Sequence, residues 1–98
     1  MATVVVTPTA LDDLERLIQT HSLPPDTRSR VKSSLRALSR FPLLGAPLTG
    51  RWAPFRFVLG PWRWMLIVYR LDEPAGRVFV VTIQDARSAA GATSARTG

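Results

Sequence analysis

The chain has 98 residues and no cysteine, which indicates one small domain and excludes disulfides and thiolate metal sites. Its one histidine, His21, leaves too few ligands for a typical zinc site, so we expect neither a metal nor a cofactor. The formal net charge is +6, and this basic balance favours a polyanionic partner, either nucleic acid or an acidic protein segment.

The first residues of the chain predict its location. Met1–Val6 has no basic start, and its apolar run is too short for the core of a signal peptide. The most apolar stretch, 62–71, is interrupted by Arg63 and Arg70 and is far shorter than the roughly 20 residues of a membrane span. We therefore expect a cytoplasmic protein with no membrane partner.

The first half of the chain predicts a strand followed by two helices. Val4–Val6 is a β-branched run that is typical of a strand. Thr7 then offers an N-cap before a proline, and leucines at helical spacing continue to a break near Thr20. A second helix begins around Pro25–Asp26 and ends before Pro42, so the two helices form an antiparallel hairpin.

The second half predicts a loop and three strands. Residues 42–50 are rich in proline and glycine and predict a loop. Three strands follow as an antiparallel meander: Phe55–Leu59, Trp62–Leu71 and Arg77–Gln84. The segment 88–98 has little to bury, so we assign residues 1–87 to one domain and expect 88–98 to be a disordered tail.

The middle strand of this meander is apolar on both faces. Two alternating sets of side chains share it: Trp64, Leu66 and Val68 on one face, and Met65, Ile67 and Tyr69 on the other. A strand of this kind is usually covered on both sides. Since the helical hairpin covers one face, we expect the other to bind an acidic, partly apolar partner segment or to be closed by the loop 42–53, with Trp52 as its lid.

Several short segments share their order and spacing with one known family. They are TPTALDDL at 7–14, LSRFP at 38–42, LGAPLTG at 44–50, RFVLGPWR at 56–63, IVYRLDE at 67–73, VFVVTI at 78–83, and Arg87 after the last strand. Together these segments resemble the RelE/ParE superfamily of toxins from type II toxin–antitoxin systems.

The resemblance implies an α+β fold over residues 4–87, a labile antitoxin protein as partner, and one of two targets. RelE-like members cut mRNA on the ribosome, whereas ParE-like members inhibit DNA gyrase. We expect a RelE-like mRNA endoribonuclease that inhibits translation. The alternatives are a ParE-like gyrase inhibitor without chemistry of its own and an inactive homologue that only binds antitoxin.

Two features bear on that choice. No tyrosine or histidine follows Arg87, although RelE-like nucleases often place an acid–base residue there, and this absence favours the gyrase inhibitor. Residues 51–98 hold seven basic and three acidic residues, a net +4, against six and four in residues 1–50, a net +2. The basic second half favours the ribonuclease.

Cleavage of RNA by its own 2′-hydroxyl needs a base, an acid and cations on the phosphate. Arginine is a bidentate clamp for phosphate and a poor base, and Arg56, Arg63 and Arg87 are the clamp candidates. Asp85 is the fourth catalytic candidate. It is expected to act as the base or to pair with Arg87, and the ion pair is favoured.

Other side chains of suitable chemistry receive structural interpretations. We expect Tyr69 in the core or at an interface, His21 on the surface of the loop between the helices, and Lys32 solvated on its helix. Tryptophan in so small a protein more often packs than stacks on nucleic-acid bases. We therefore interpret the three tryptophans as packing or interface residues.

Overall fold

The computed structural model of the protein describes residues 1–87, and the expected disordered tail lies outside the described residues. In chain order its elements are β1 (Thr3–Val6), α1 (Pro8–Thr20), α2 (Thr27–Arg40), β2 (Ala46–Pro47), a 3-10 turn (Gly50–Trp52), β3 (Arg56–Leu59), β4 (Met65–Asp72) and β5 (Arg77–Asp85). Within residues 1–87, no helix is long and apolar enough to cross a membrane.

The strands form one mixed sheet in the order β1–β5–β4–β3–β2. The last three strands in the sequence are the expected antiparallel meander, and β2 adds a short antiparallel strand inside the predicted loop 42–50. β1 lies parallel to β5, and such a pair needs a long crossover, which the helices and the meander supply. The predicted α+β fold is confirmed.

α1 begins and ends where the sequence predicts. The Thr7 side chain caps it by accepting a hydrogen bond from the backbone N–H of Ala10 at 3.3 Å. The same hydroxyl donates to the Val80 carbonyl at 2.8 Å, which ties the start of the helix to β5. α2 begins at Thr27, whose hydroxyl donates to the Pro24 carbonyl at 2.6 Å.

The core lies between the two helices and one face of the sheet. The helices contribute Ala10, Leu14, Val31, Leu35 and Leu38, and the sheet contributes Met65, Ile67, Tyr69, Val78, Val80 and Ile83. Tyr69 is fully buried, as expected, and this burial raises the pKa of its phenol.

The opposite face of the sheet carries a second, smaller set of apolar side chains. Cross-strand pairing sets Leu59 opposite Leu66 and Phe57 opposite Val68, and alternation along the strands directs these side chains away from the helices. Val68 is fully buried, Phe57 and Leu66 are half-buried, and Leu59 is 46% exposed. The second apolar face that the sequence predicts is therefore present.

The loop that was the alternative cover for this face begins on the other side of the sheet. The backbone N–H of Gly45 donates to the Tyr69 hydroxyl at 2.9 Å, and that hydroxyl donates to the Pro42 carbonyl at 2.8 Å. Trp52, the expected lid, packs edge-on against Phe55 with ring centroids 5.9 Å apart. The start of the loop thus closes over the helix-covered core.

β4 begins at Met65 rather than at Trp62, so the predicted start of this strand is wrong. The Gly60 N–H donates to the Met65 carbonyl at 2.9 Å, and the Met65 N–H donates to the Trp62 carbonyl at 3.0 Å, which closes a turn. Successive side chains alternate between the two faces of the sheet only along a strand, and this alternation ends at a turn. Trp62 and Trp64 consequently pack against the helix-side core, and Trp64 does not share a face with Leu66.

Candidate functional site

Three segments of the chain meet at one end of the sheet: the end of α1, the turn before β4 and the end of β5. His21 is the C-cap of α1, with its backbone N–H donating to the Leu17 carbonyl at 3.0 Å. The Ala86 N–H donates to the Trp64 carbonyl at 2.7 Å and so joins the turn to the end of β5. The side chains brought together here, His21, Trp64, Asp85 and Arg87, are termed the His21–Asp85 cluster.

Asp85 is the hub of this cluster. Its side chain is 7% exposed and accepts hydrogen bonds from His21 Nε2 at 2.8 Å and from Arg87 Nε and Nη2 at 3.0 and 2.9 Å. The Arg87 side-chain hydrogen bonds first, and that of His21 second, hold the pKa of Asp85 well below its usual range. A carboxylate with so low a pKa is a weak proton acceptor, so Asp85 is suited to hold its neighbours in place.

Both nitrogens of the His21 imidazole have hydrogen-bond partners. Because a carboxylate only accepts, the partners assign the ring proton to Nε2, which donates to Asp85. Nδ1 then accepts from the Thr20 hydroxyl, 2.9 Å away. The His21 side chain is 27% exposed, so Nδ1 is a proton acceptor near the protein surface.

Aromatic rings fix the plane of this imidazole. The His21 ring stacks on Trp64 with centroids 4.8 Å apart and an interplanar angle of 14°, and Trp64 stacks on Trp62 at 6.0 Å and 19°. The Arg87 guanidinium lies 4.9 Å from the Trp64 centroid, and that of Arg30 lies 5.7 Å from the Trp62 centroid. Both tryptophans therefore pack within the protein, in agreement with their structural interpretation.

Three solved structures resemble this chain over most of its length. A chain of the toxin–antitoxin complex RelBE2 from Mycobacterium tuberculosis is 29% identical, with a TM-score of 0.64 over 86% of this chain and 96% of that chain. A mutant of the E. coli toxin RelE in the free state is 18% identical, with a TM-score of 0.66 over 90% and 87% of the two chains. The conserved hypothetical protein HP0892 from Helicobacter pylori is 19% identical, with a TM-score of 0.59 over 89% and 97%.

The chain has the RelE/ParE superfamily fold. The resemblance noted in the sequence is thereby confirmed at the level of structure. No protein-family model and no curated protein matches the sequence.

On this RelE/ParE fold, the sequence-predicted site residues fall in two places. Asp85 and Arg87 form the favoured ion pair, with Nη2 of the arginine 2.9 Å from a carboxylate oxygen. Arg63 lies in the turn between Trp62 and Trp64, at the same end of the sheet, and its side chain is exposed. The turn therefore places a second sequence-predicted arginine, besides Arg87, close to the cluster along the chain.

Arg56 lies away from the cluster. It is opposite Tyr69 on β4, whereas Asp85 is opposite Met65, and these two positions on β4 are about 13 Å apart at ~3.3 Å per residue. Arg56 Nη1 donates to the Gly45 carbonyl at 2.8 Å and so holds the loop that follows α2. This hydrogen bond gives Arg56 a structural role, which could not be predicted from its being an arginine.

The sequence predicts His21 at the surface, and its side chain is 27% exposed, with the ring stacked on Trp64 and Nε2 bonded to Asp85. What the sequence does not predict is the contact with Asp85, which is 64 positions away along the chain. No local pattern links two residues so far apart, and the packing of α1 on β5 brings them together. Within residues 1–87, no group of three His, Cys, Asp or Glu side chains is placed to hold a metal ion.

Proposed function

We propose that this protein is the toxin of a type II toxin–antitoxin system and that it acts by cutting messenger RNA. The toxin assignment is supported by the fold and by 29% identity, over 86% of the chain, to a chain of a toxin–antitoxin complex. RNA cleavage is the finer part of the proposal, and the His21–Asp85 cluster supports it.

The observation that carries RNA cleavage is the position of His21. Cleavage through the 2′-hydroxyl needs a proton acceptor next to cations that bind the phosphate, and the sequence offers no acceptor after Arg87. In the folded chain, the His21 imidazole and the Arg87 guanidinium bind the same carboxylate, that of Asp85. A proton acceptor and a phosphate-binding cation are therefore adjacent, which favours a ribonuclease over an inhibitor without chemistry.

Arg87 and Arg63 are the phosphate-binding candidates at this end of the sheet. The Arg87 side chain is 63% exposed and donates Nε and Nη2 to Asp85. Arg63 is exposed in the adjoining turn. Guanidinium groups bind phosphate oxygens through short, charge-assisted hydrogen bonds, so both side chains suit a polyanionic substrate.

We propose two contact regions for the antitoxin. The first is a groove of about 450 Å³ between α2 and β1, lined by Val4 and Leu35 and by the cationic side chains of Lys32 and Arg36. The second is the apolar face of the sheet on which Leu59 is exposed. A segment with acidic residues and apolar anchors is complementary to both, and disordered segments that fold on binding wrap such surfaces.

The test is induced expression in bacterial cells, with translation and DNA synthesis measured separately. We expect growth to stop together with an immediate loss of translation. Arrest of DNA synthesis while translation continues would support the gyrase-inhibiting alternative. Normal growth, with soluble protein present in the cells, would contradict the toxin assignment.

A further inference from the structure

We infer, on the basis of the proposed ribonuclease function, that Nδ1 of His21 takes the proton from the ribose 2′-hydroxyl of a bound RNA. The base of the reaction then lies directly after α1, far in the sequence from Arg63 and Arg87.

The Thr20 hydroxyl shows that an O–H group fits at this nitrogen. Its oxygen lies 2.9 Å from Nδ1, within the roughly 2.6–3.2 Å that proton transfer to a base requires. Thr20 is exposed, so a ribose hydroxyl can take the place of its side chain without displacing a buried group.

Asp85 prepares the imidazole for the reaction. Its hydrogen bond to Nε2–H fixes the tautomer that has its lone pair on Nδ1, and its negative charge stabilises the imidazolium that forms. Because the Arg87 hydrogen bonds keep the carboxylate ionised, Asp85 does not compete for the proton. Asp85 is thus a positioning residue, and stacking on the Trp64 ring holds the imidazole in its orientation.

The cleavage step is a transesterification. Nδ1 takes the proton of the 2′-hydroxyl, and the 2′ oxygen forms a bond to the adjacent phosphorus. The bond from phosphorus to the 5′ oxygen of the next nucleotide breaks, and a water molecule protonates that leaving oxygen. The products are a 2′,3′-cyclic phosphate and a 5′-hydroxyl, and the hydroxide left by the water takes the proton from the imidazolium. Arg87, which shares Asp85 and Trp64 with His21, lies beside the imidazole to bind the phosphate.

A structural role is the alternative for His21, because the same hydrogen bond ties the end of α1 to the end of β5. The two roles need different chemistry. A structural side chain needs only a donor toward Asp85, whereas a base needs a nitrogen that accepts a proton. Glutamine keeps an N–H donor and has no such nitrogen, so His21→Gln separates the two roles.

The experiment uses untagged, full-length protein and a defined mRNA, both free and in translating ribosomes. Single-turnover cleavage and thermal unfolding are measured for the wild type, His21→Gln, the control Gln19→Ala at an exposed residue of the same helix, and His21→Gly with and without imidazole. We expect His21→Gln to cleave about 10²–10⁴-fold more slowly at an unfolding midpoint close to that of the wild type. Gln19→Ala should cleave at close to the wild-type rate. Imidazole should restore cleavage by His21→Gly, because it replaces the chain's one histidine side chain.

The outcomes separate the inference from the proposed function. If the wild type and His21→Gln cleave at the same rate, the inference is wrong and the ribonuclease function stands. If His21→Gln cleaves slowly and imidazole restores nothing to a folded His21→Gly, the role is structural and the inference is again wrong. If His21→Gly does not fold, the cleavage rate of a stably folded His21→Gln is the test. A rate well below that of the wild type supports the inference, and a rate equal to that of the wild type overturns it. If the wild type cleaves neither free nor ribosome-bound mRNA, the proposed function fails and the inference fails with it.

Discussion

At the scale of single residues, Asp85 links the stability of the fold to the geometry of the His21–Asp85 cluster. Its carboxylate is 7% exposed and binds His21 from the end of α1 and Arg87 from the end of β5. The same interactions that keep it ionised also hold the imidazole. A change at Asp85 should therefore alter stability and catalysis together.

We predict that Asp85 makes the protein lose stability in acid. Hydrogen bonds from Arg87, and then from His21, hold its folded pKa below the unfolded value of about 3.9. A group with a depressed folded pKa contributes stability that is present above the unfolded pKa and is lost as the pH falls toward the folded pKa. Denaturant unfolding of the wild type should show this loss below about pH 5. Asp85→Asn should be less stable than the wild type at pH 7, and its free energy of unfolding should change less with pH in the acid range.

The matched control for this measurement is Glu15→Gln. The pKa of Glu15 is also lowered, mainly by its hydrogen bond to Arg28, but this ion pair is exposed, and exposed pairs contribute little. The free energy of unfolding of Glu15→Gln should therefore vary with pH in nearly the same way as that of the wild type. An Asp85→Asn variant with an unchanged pH dependence would show that the cluster contributes nothing to acid stability.

Arg63 and Arg56 should respond differently to truncation, although both are sequence-predicted phosphate clamps. Arg63 is exposed near the cluster, so Arg63→Ala should lower RNA cleavage by about 10²-fold or more with little change in unfolding midpoint. Arg56 donates to the Gly45 carbonyl, so Arg56→Ala should lower the midpoint and affect cleavage less. Cleavage rates and thermal unfolding of both variants check this, and equal effects of the two on cleavage would contradict it.

At the scale of secondary-structure elements, the loop after α2 is fastened to the sheet at one point. Gly45 donates through its N–H to the Tyr69 hydroxyl and accepts through its carbonyl from Arg56, at 2.9 and 2.8 Å. The Tyr69 hydroxyl in turn donates to Pro42. The chain therefore passes close to the sheet at Gly45, with no room there for a side chain.

Gly45→Ala should consequently destabilise the fold. A Cβ at this position would lie 2.5 Å from the Phe57 carbonyl oxygen and 2.8 Å from the Tyr69 ring, and backbone cannot move away cheaply. Overpacking typically costs about 1–3 kcal/mol, and we expect the free energy of unfolding in denaturant to fall by that amount. Gly60→Ala is the control, because its Cβ would meet the flexible side chain of Met65 and should cost less. Wild-type stability for Gly45→Ala would contradict the close approach.

Elements with local signals could be predicted from the sequence, and contacts between distant segments could not. Thr7 and the leucine spacing define α1 because capping and amphipathic periodicity act within a few residues. The apolar run predicts strand at Trp62–Trp64, where the structure has a turn, because apolar side chains pack as well from a turn as from a strand. The contact of His21 with Asp85 spans 64 positions, so the residue types that suit the site could be named while the pairing that makes it a site could not.

At the scale of the whole molecule, the sheet separates two surfaces of different character. One face is covered by the helices and forms the core, and the other carries a smaller apolar set with Leu59 exposed. The His21–Asp85 cluster lies at one end of the sheet, and the cationic groove of Lys32 and Arg36 lies along α2. We therefore expect the RNA substrate to bind at the His21–Asp85 cluster and the antitoxin to bind elsewhere, at the cationic groove and the second apolar face.

Antitoxin binding should slow amide hydrogen exchange in β3 and β4, and in α2 and β1, which border the cationic groove. The physical reason is that an acidic, partly apolar segment gains apolar burial on the Leu59 face and charge pairing at Lys32 and Arg36. Leu59→Ser should weaken binding, whereas Leu43→Ser, at a leucine that is 58% exposed in the loop after α2, is the matched control. If binding is established and these segments gain no protection, the interface lies elsewhere.

The chemistry of new RNA ends tests the central claim most directly. After brief induction of the protein in bacterial cells, RNA ends are mapped with and without prior phosphorylation of 5′-hydroxyls. We predict new ends inside coding regions that carry 5′-hydroxyls, and so can be ligated only after phosphorylation, in cells that make the wild type and not in cells that make an equal amount of His21→Gln. New ends that carry 5′-phosphates, or growth arrest without any new mRNA ends, would contradict cleavage by a base-catalysed attack of the 2′-hydroxyl.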